Sequence, residues 1–129
     1  MEMYYKIKTN KTVEAAFEDV KECLQKHGYF VQWQMNFKDK LAEKEIAFKN
    51  NYLMFEICKA EYLKKALDLS LIAGYMMPCK ITVYEDGGSV YIGMVKFSQL
   101  LGMINIPALT EMFVGVEKEV VAALEEGAK

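Results

Sequence analysis

A chain of 129 residues, 53% hydrophobic and 26% charged, has the size and balance of one folded domain with a continuous core and lies far from the composition of disordered chains. Its net charge of -2 supplies no long-range field for nucleic acid or an anionic membrane. Three cysteines, Cys23, Cys58 and Cys79, form neither a C-x-x-C pair nor a zinc spacing, which argues against a disulfide framework and for reduced thiols in a cytoplasm.

The opening residues 1–6 lack the apolar run of a secretory leader. Residues Met3 to Thr9 alternate, with Met3, Tyr5 and Ile7 opposite Tyr4, Lys6 and Lys8, as in a half-buried strand. Asn10 or Thr12 then opens a helix in which Val13, Ala16, Phe17, Val20, Cys23 and Leu24 make one apolar stripe, closed by Gly28. From Phe30 the alternation resumes, predicting a strand that buries Val31, Trp33, Met35 and Phe37 and turns Gln32 and Gln34 outward. Residues 38–49 suggest a short helix or wide turn. Asn50-Asn51 punctuates the chain before a strand from Tyr52 to Cys58, with Leu53, Phe55 and Ile57 inward.

A helix over Glu61 to Leu71 follows, and Pro78 keeps Met77 extended. Cys79 to Glu85 and Val90 to Val95 read as strands, and Asp86-Gly87-Gly88 between them predicts a tight hairpin. Beyond Phe97 the pattern is helical, broken near Pro107, which suits the first turn of a new helix. The apolar stretches Leu69 to Met77 and Leu100 to Ile106 fall short of the ~20 residues that span a bilayer, so no membrane partner is expected. The order of elements predicts a single α+β domain over residues 1–129, a two-layer fold in which helices cover one face of a curved antiparallel sheet of about five strands.

With these elements in place, Met77-Pro78-Cys79-Lys80-Ile81-Thr82-Val83-Tyr84-Glu85 resembles the Pro-Cys strand of a bacterial and archaeal family known as domain of unknown function 302. Val13-Glu14 through Leu24, His27-Gly28-Tyr29, Asn36-Phe37-Lys38-Asp39-Lys40-Leu41, and the strand to Cys58 followed by a helix with Ala66-Leu67 keep that family's order, so the likeness spans Tyr4 to Val95. The resemblance implies a two-layer fold of the TATA-box-binding-protein-like kind, often a homodimer, and implies no activity. After Cys58, Lys59-Ala60 stands where the family carries Asn-Pro or His-Pro.

Candidate chemistry is sparse. Cys58 closes one strand and Cys79 opens the next, so a redox pair, or a Cu(I) site completed by Met76, Met77 or Met94, is one expectation. Strand parity opposes it, because it sends Cys79 inward and Cys58 outward; the plainer expectation is a core Cys79 and a partly covered Cys58. His27, the single histidine, fits a helix-end role. No phosphate loop, nucleophile elbow or metal-protease motif is present, and no catalytic group or cofactor is expected.

The outward sheet face stands out. It is expected to carry Tyr52, Met54, Glu56, Cys58, Tyr84 and Tyr91 with Gln32 and Gln34, beside Tyr4, Lys80, Thr82 and Val95, and it is too aromatic for a freely wetted surface. Tyrosine and methionine are enriched at protein interfaces, so a homodimer through this face is the first expectation, with a shallow small-ligand site second. Stacking of single-stranded nucleic acid lacks the positive charge it needs. The bland alternative is that the tyrosines lie flat, or that the C-terminal helix covers them.

Overall fold

The computed structural model describes residues 2–129; Met1, counted with the leading segment above, lies outside the described residues. The elements run β1 (Tyr4–Thr9), α1 (Val13–Lys26), β2 (Phe30–Asn36), α2 (Phe37–Ala42), β3 (Tyr52–Cys58), α3 (Ala60–Leu69), a 3-10 turn (Leu71–Tyr75), β4 (Cys79–Asp86), β5 (Ser89–Val95), α4 (Phe97–Ile104) and α5 (Pro107–Ala128). All strands pair antiparallel in the order β1-β5-β4-β3-β2. The chain is a two-layer α+β fold, as expected. No helix among the described residues is long and apolar enough to cross a membrane.

Local chemistry sets the boundaries. Thr12 caps α1, its side chain accepting a hydrogen bond from the Ala15 N–H, which satisfies a donor the helix itself leaves free. Gly28 leaves the helix at φ 89, a conformation only glycine adopts without strain. Gly87 and Gly88 carry φ 58 and 84 in the β4–β5 hairpin, the geometry a two-residue turn requires. The helix expected to reach Leu71 stops at Leu69, because Ser70 is extended and its side chain accepts from the Ile72 N–H. Asn105, left-handed at φ 64, separates α4 from α5, and Pro107 occupies the first turn of α5.

The core lies between the sheet and the packed pair α1 and α5. Phe17, Val20 and Leu24 of α1 and Leu109, Phe113, Val120 and Leu124 of α5 meet Phe55, Ile57, Ile81, Val83 and Ile92 of the sheet. Each such side chain contributes about 1.5–3 kcal/mol on burial. The end of α5 is fastened beside the start of α1: the Thr9 hydroxyl donates to the Ala128 carbonyl at 2.6 Å, and Lys11 Nζ donates to the Gly127 carbonyl at 2.8 Å and pairs with Asp19 at 2.6 Å.

Strand β2 departs from the expected alternation. Val31 pairs with Ile57 but Trp33 pairs with Glu56, so the register shifts by one residue between them. Gln32 is the extra residue of a β-bulge, which turns every later side chain to the other side. Trp33 and Met35 therefore face outward, Trp33 being 47% exposed. Gln34 faces the helices, where its amide oxygen accepts a hydrogen bond from Lys21 Nζ. Phe37 is not in the strand at all; it begins α2.

Candidate ligand and partner face

The outer face is organised by a row of rings. Tyr52 pairs with Tyr84 and Tyr84 with Tyr91 across three adjacent strands, which alternation places on the side away from α1 and α5. Phe37 stacks on Tyr52 at 4.7 Å, Tyr52 on Tyr84 at 4.8 Å, and Tyr84 tilts against Tyr91 at 5.8 Å. Lys6 Nζ lies 4.2 Å from the centre of the Tyr91 ring and closes the row with a cation–π contact. Ring pairs of this kind contribute about 0.5–1.5 kcal/mol each beyond simple burial, so the row is a fixed platform. Burial pushes the Tyr84 hydroxyl above its ordinary pKa, against the opposing pull of Lys6.

Beside the row the surface dips. A shallow cleft of about 280 Å³ is bordered by Tyr4, Lys6, Tyr52, Lys80 and Tyr84, with Thr82 and Gly93 beneath. Gly93 is what leaves it open: a Cβ there would lie 3.3 Å from the Tyr5 carbonyl oxygen, 3.5 Å from Thr82 Oγ1 and 3.9 Å from Tyr84 Cε1. A glycine inside a strand weakens it and marks a place where another group comes close.

The remaining expected residues are placed as follows. Glu56 is half-buried on the outer side, opposite Trp33 and Lys80 in register, and takes part in none of the ion pairs among the described residues. Met54 and Cys58 share its side of β3 but are only 3% exposed, so they are packed beneath the surface. Gln32 is exposed at the bulge and Gln34 belongs to the helix side. Trp33 joins the outer face because a bulge is invisible to alternation, and Phe37 because it begins α2 and stacks on Tyr52. Gly93 carried a usable signal, a lone glycine inside a strand pattern. Helix α5 packs with α1, α3, α4 and β1 rather than over the tyrosines.

The thiols form no reactive pair. Cys79 sits opposite Ile57 and Cys58 opposite Phe30, which places them on opposite sides of the sheet. All three cysteines are free and buried; Cys58 is more covered than expected. Burial pushes every one of their pKa values up, Cys79 to about 12, so none is a thiolate at neutral pH. Among the described residues no group of three or more His, Cys, Asp and Glu could hold a metal ion. Alkylation of the native protein by iodoacetamide at neutral pH is therefore expected to be slow at all three cysteines and slowest at Cys79, measured by intact mass over time; fast labelling of Cys58 would contradict this placement.

Lys59 is structural. Its Nζ donates to the His27 carbonyl at 2.9 Å and approaches Glu119 of α5 at 3.4 Å, and it lies over the rings of Tyr62 and Tyr29 at 4.8 and 5.4 Å. The Tyr62 hydroxyl donates to the other Glu119 oxygen at 2.9 Å. The cluster fastens the start of α3 and the end of α1 to α5. His27 thus serves through its backbone, as the C-cap of α1.

Comparison with known proteins adds two findings. The family model described as Domain of unknown function DUF302 matches residues 5–127. A crystal structure of an uncharacterized conserved DUF302 protein from Bacillus stearothermophilus is 32% identical, covers 100% of both chains and superposes with a TM-score of 0.95. No curated protein matches the chain.

Proposed function

This chain belongs to the DUF302 family, a premise that supplies a fold and no activity, and we propose from its surface that it is a homodimerising binding module whose working surface is the outer sheet face. The observation that carries the reading is the ring row Phe37–Tyr52–Tyr84–Tyr91, lying on the side opposite the α1–α5 layer and flanked by the exposed rings of Trp33 and Tyr4. Aromatic residues concentrated on one face are the compositional mark of a contact surface. A sheet of five strands at about 4.8 Å spacing offers a face of about 500 Å² in projection, on the scale of the roughly 800 Å² each partner gives to a standard interface once side-chain relief is added.

The charges suit self-pairing. Lys6 and Lys8 lie on β1, at one edge, and Glu56 lies on β3, across the sheet. A two-fold axis along β4, the central strand, lays the β1 side of one copy over the β2–β3 side of the other. Lys6 and Lys8 then approach the second copy's carboxylate, while the two Lys80 side chains, on the axial strand, approach each other.

Light scattering tests the pairing. The wild type is expected at twice the monomer mass, and Tyr91→Glu, which sets a carboxylate inside the ring row, is expected at the monomer mass with its circular dichroism unchanged. A monomeric wild type, or a variant that remains dimeric, refutes it.

A further inference from the structure

We propose that the cleft over Gly93 is a binding site for a small, flat organic anion, a conjugated carboxylate or sulfonate, whose ring lies against Tyr84 and whose charge is met by Lys6 and Lys80. This rests on the outer face being the working surface but not on the pairing of two copies. Three observations converge on the class of ligand.

The first is charge. The chain is acidic overall, with net charge -2, yet the cleft is bordered by two lysines and no carboxylate. Neither Lys6 nor Lys80 joins any ion pair among the described residues, and neither does Lys8 on the same side of β1. Glu56, the register neighbour of Lys80, does not line the cleft. An anion gains two charge-assisted contacts there and breaks no ion pair, Lys6 being held only by its contact with the Tyr91 ring and its pull on the Tyr84 hydroxyl.

The second is shape. One wall is the edge of the Tyr52–Tyr84 pair: the ring faces are already taken within the row, and Tyr84 Cε1 would stand 3.9 Å from a Cβ at Gly93, so a flat group lying over Gly93 meets Tyr84 in edge-to-face geometry. The third is size and floor. At about 280 Å³ the space lies just below the usual range of roughly 300–1,000 Å³ for ligand pockets, which suits one or two fused rings. Thr82 Oγ1, already donating to the Gly93 carbonyl at 3.3 Å, and the bare glycine provide a floor that a ring can approach at van der Waals distance. Pairing of two copies along β4 would bring the two Lys80 side chains toward each other, and an anion between them offsets that repulsion.

Isothermal calorimetry with 1-naphthoate and its neutral counterpart 1-naphthamide separates charge recognition from greasy adsorption. Naphthoate is expected to bind at least about tenfold tighter than the amide and to lose most of that preference at high salt. The double variant Lys6→Gln, Lys80→Gln should bring naphthoate down to the level of the amide without changing the amide, while Lys44→Gln, an exposed lysine elsewhere, should leave both unchanged. Tyr84→Leu should weaken both ligands. Equal binding of the two probes, binding indifferent to the double variant, or no binding of either overturns the site; so does an oligothymidylate that displaces naphthoate and binds more tightly. A wild type that is monomeric by light scattering yet prefers naphthoate refutes the pairing and leaves the site standing.

Discussion

Replacing Phe55 by alanine is expected to lower stability by about 3–5 kcal/mol, a large share of the roughly 5–15 kcal/mol that holds a domain of this kind folded. Phe55 is fully buried in β3, between β4 and β2, where it pairs with Ile81 and Gln34. Its ring meets that of Phe17 in α1 edge-on at 5.2 Å. Truncation removes the burial energy, the ring pair and the atoms that fill the space between sheet and helix, and neighbours held by backbone pairing on both sides can relax only partly. Urea denaturation measures the loss. Tyr84→Leu, on the other side of the sheet, is the informative contrast: it disturbs stacked but half-buried rings and is expected to cost about 1 kcal/mol. If the two substitutions destabilise equally, the division of the sheet into a sealed side and an open side is wrong.

Gly127→Ala is the second large effect, expected to destabilise by about 2–3 kcal/mol although it adds a single methyl group to a helix. The added Cβ would stand 2.7 Å from Val20 Cγ2, 2.8 Å from Val20 Cα and 3.0 Å from Val20 N. Two of those atoms are backbone of α1 and have no rotamer to change, so the helices must separate. Separation strains the hydrogen bonds from Thr9 and Lys11 to the carbonyls of Ala128 and Gly127. Gly115, on the same helix with open space around its missing side chain, is the control: Gly115→Ala removes only glycine's conformational freedom and is expected to stabilise by about 0.5–1 kcal/mol. Opposite signs for the same chemical change on one helix, read from denaturation midpoints, would establish the close approach of α1 and α5.

The elements set by local chemistry were legible in the sequence. Thr12 and Gly28 bracket α1, Gly87 and Gly88 mark the hairpin, and Pro107 opens α5, because each acts through its own backbone preferences. The Pro-Cys strand pointed to the family now matched over residues 5–127. What was not legible depends on pairing between distant segments. Gln32 bulges because of how β2 meets β3, and nothing within residues 30–36 announces it. The placing of Trp33 outward and Gln34 inward inherits that shift. The contact of Gly127 with Val20 and the meeting of Lys59 with Glu119 likewise join residues far apart in the chain, where only packing brings them together. Of the face itself, Tyr52, Tyr84 and Tyr91 followed from alternation, whereas the cleft required knowing that Gly93 lies between β1 and β4.

The two strands with one neighbour each, β1 and β2, also decide how copies of this molecule can meet. An unguarded rim of a sheet invites another strand and so a ribbon without end. Here one rim carries Lys6 and Lys8, and the other is kinked by Gln32, so neither offers a flat, uncharged template. Growth by rim-to-rim addition is discouraged from both directions, which leaves the proposed broad-side pairing, closed after two copies, free of competition from an endless ribbon.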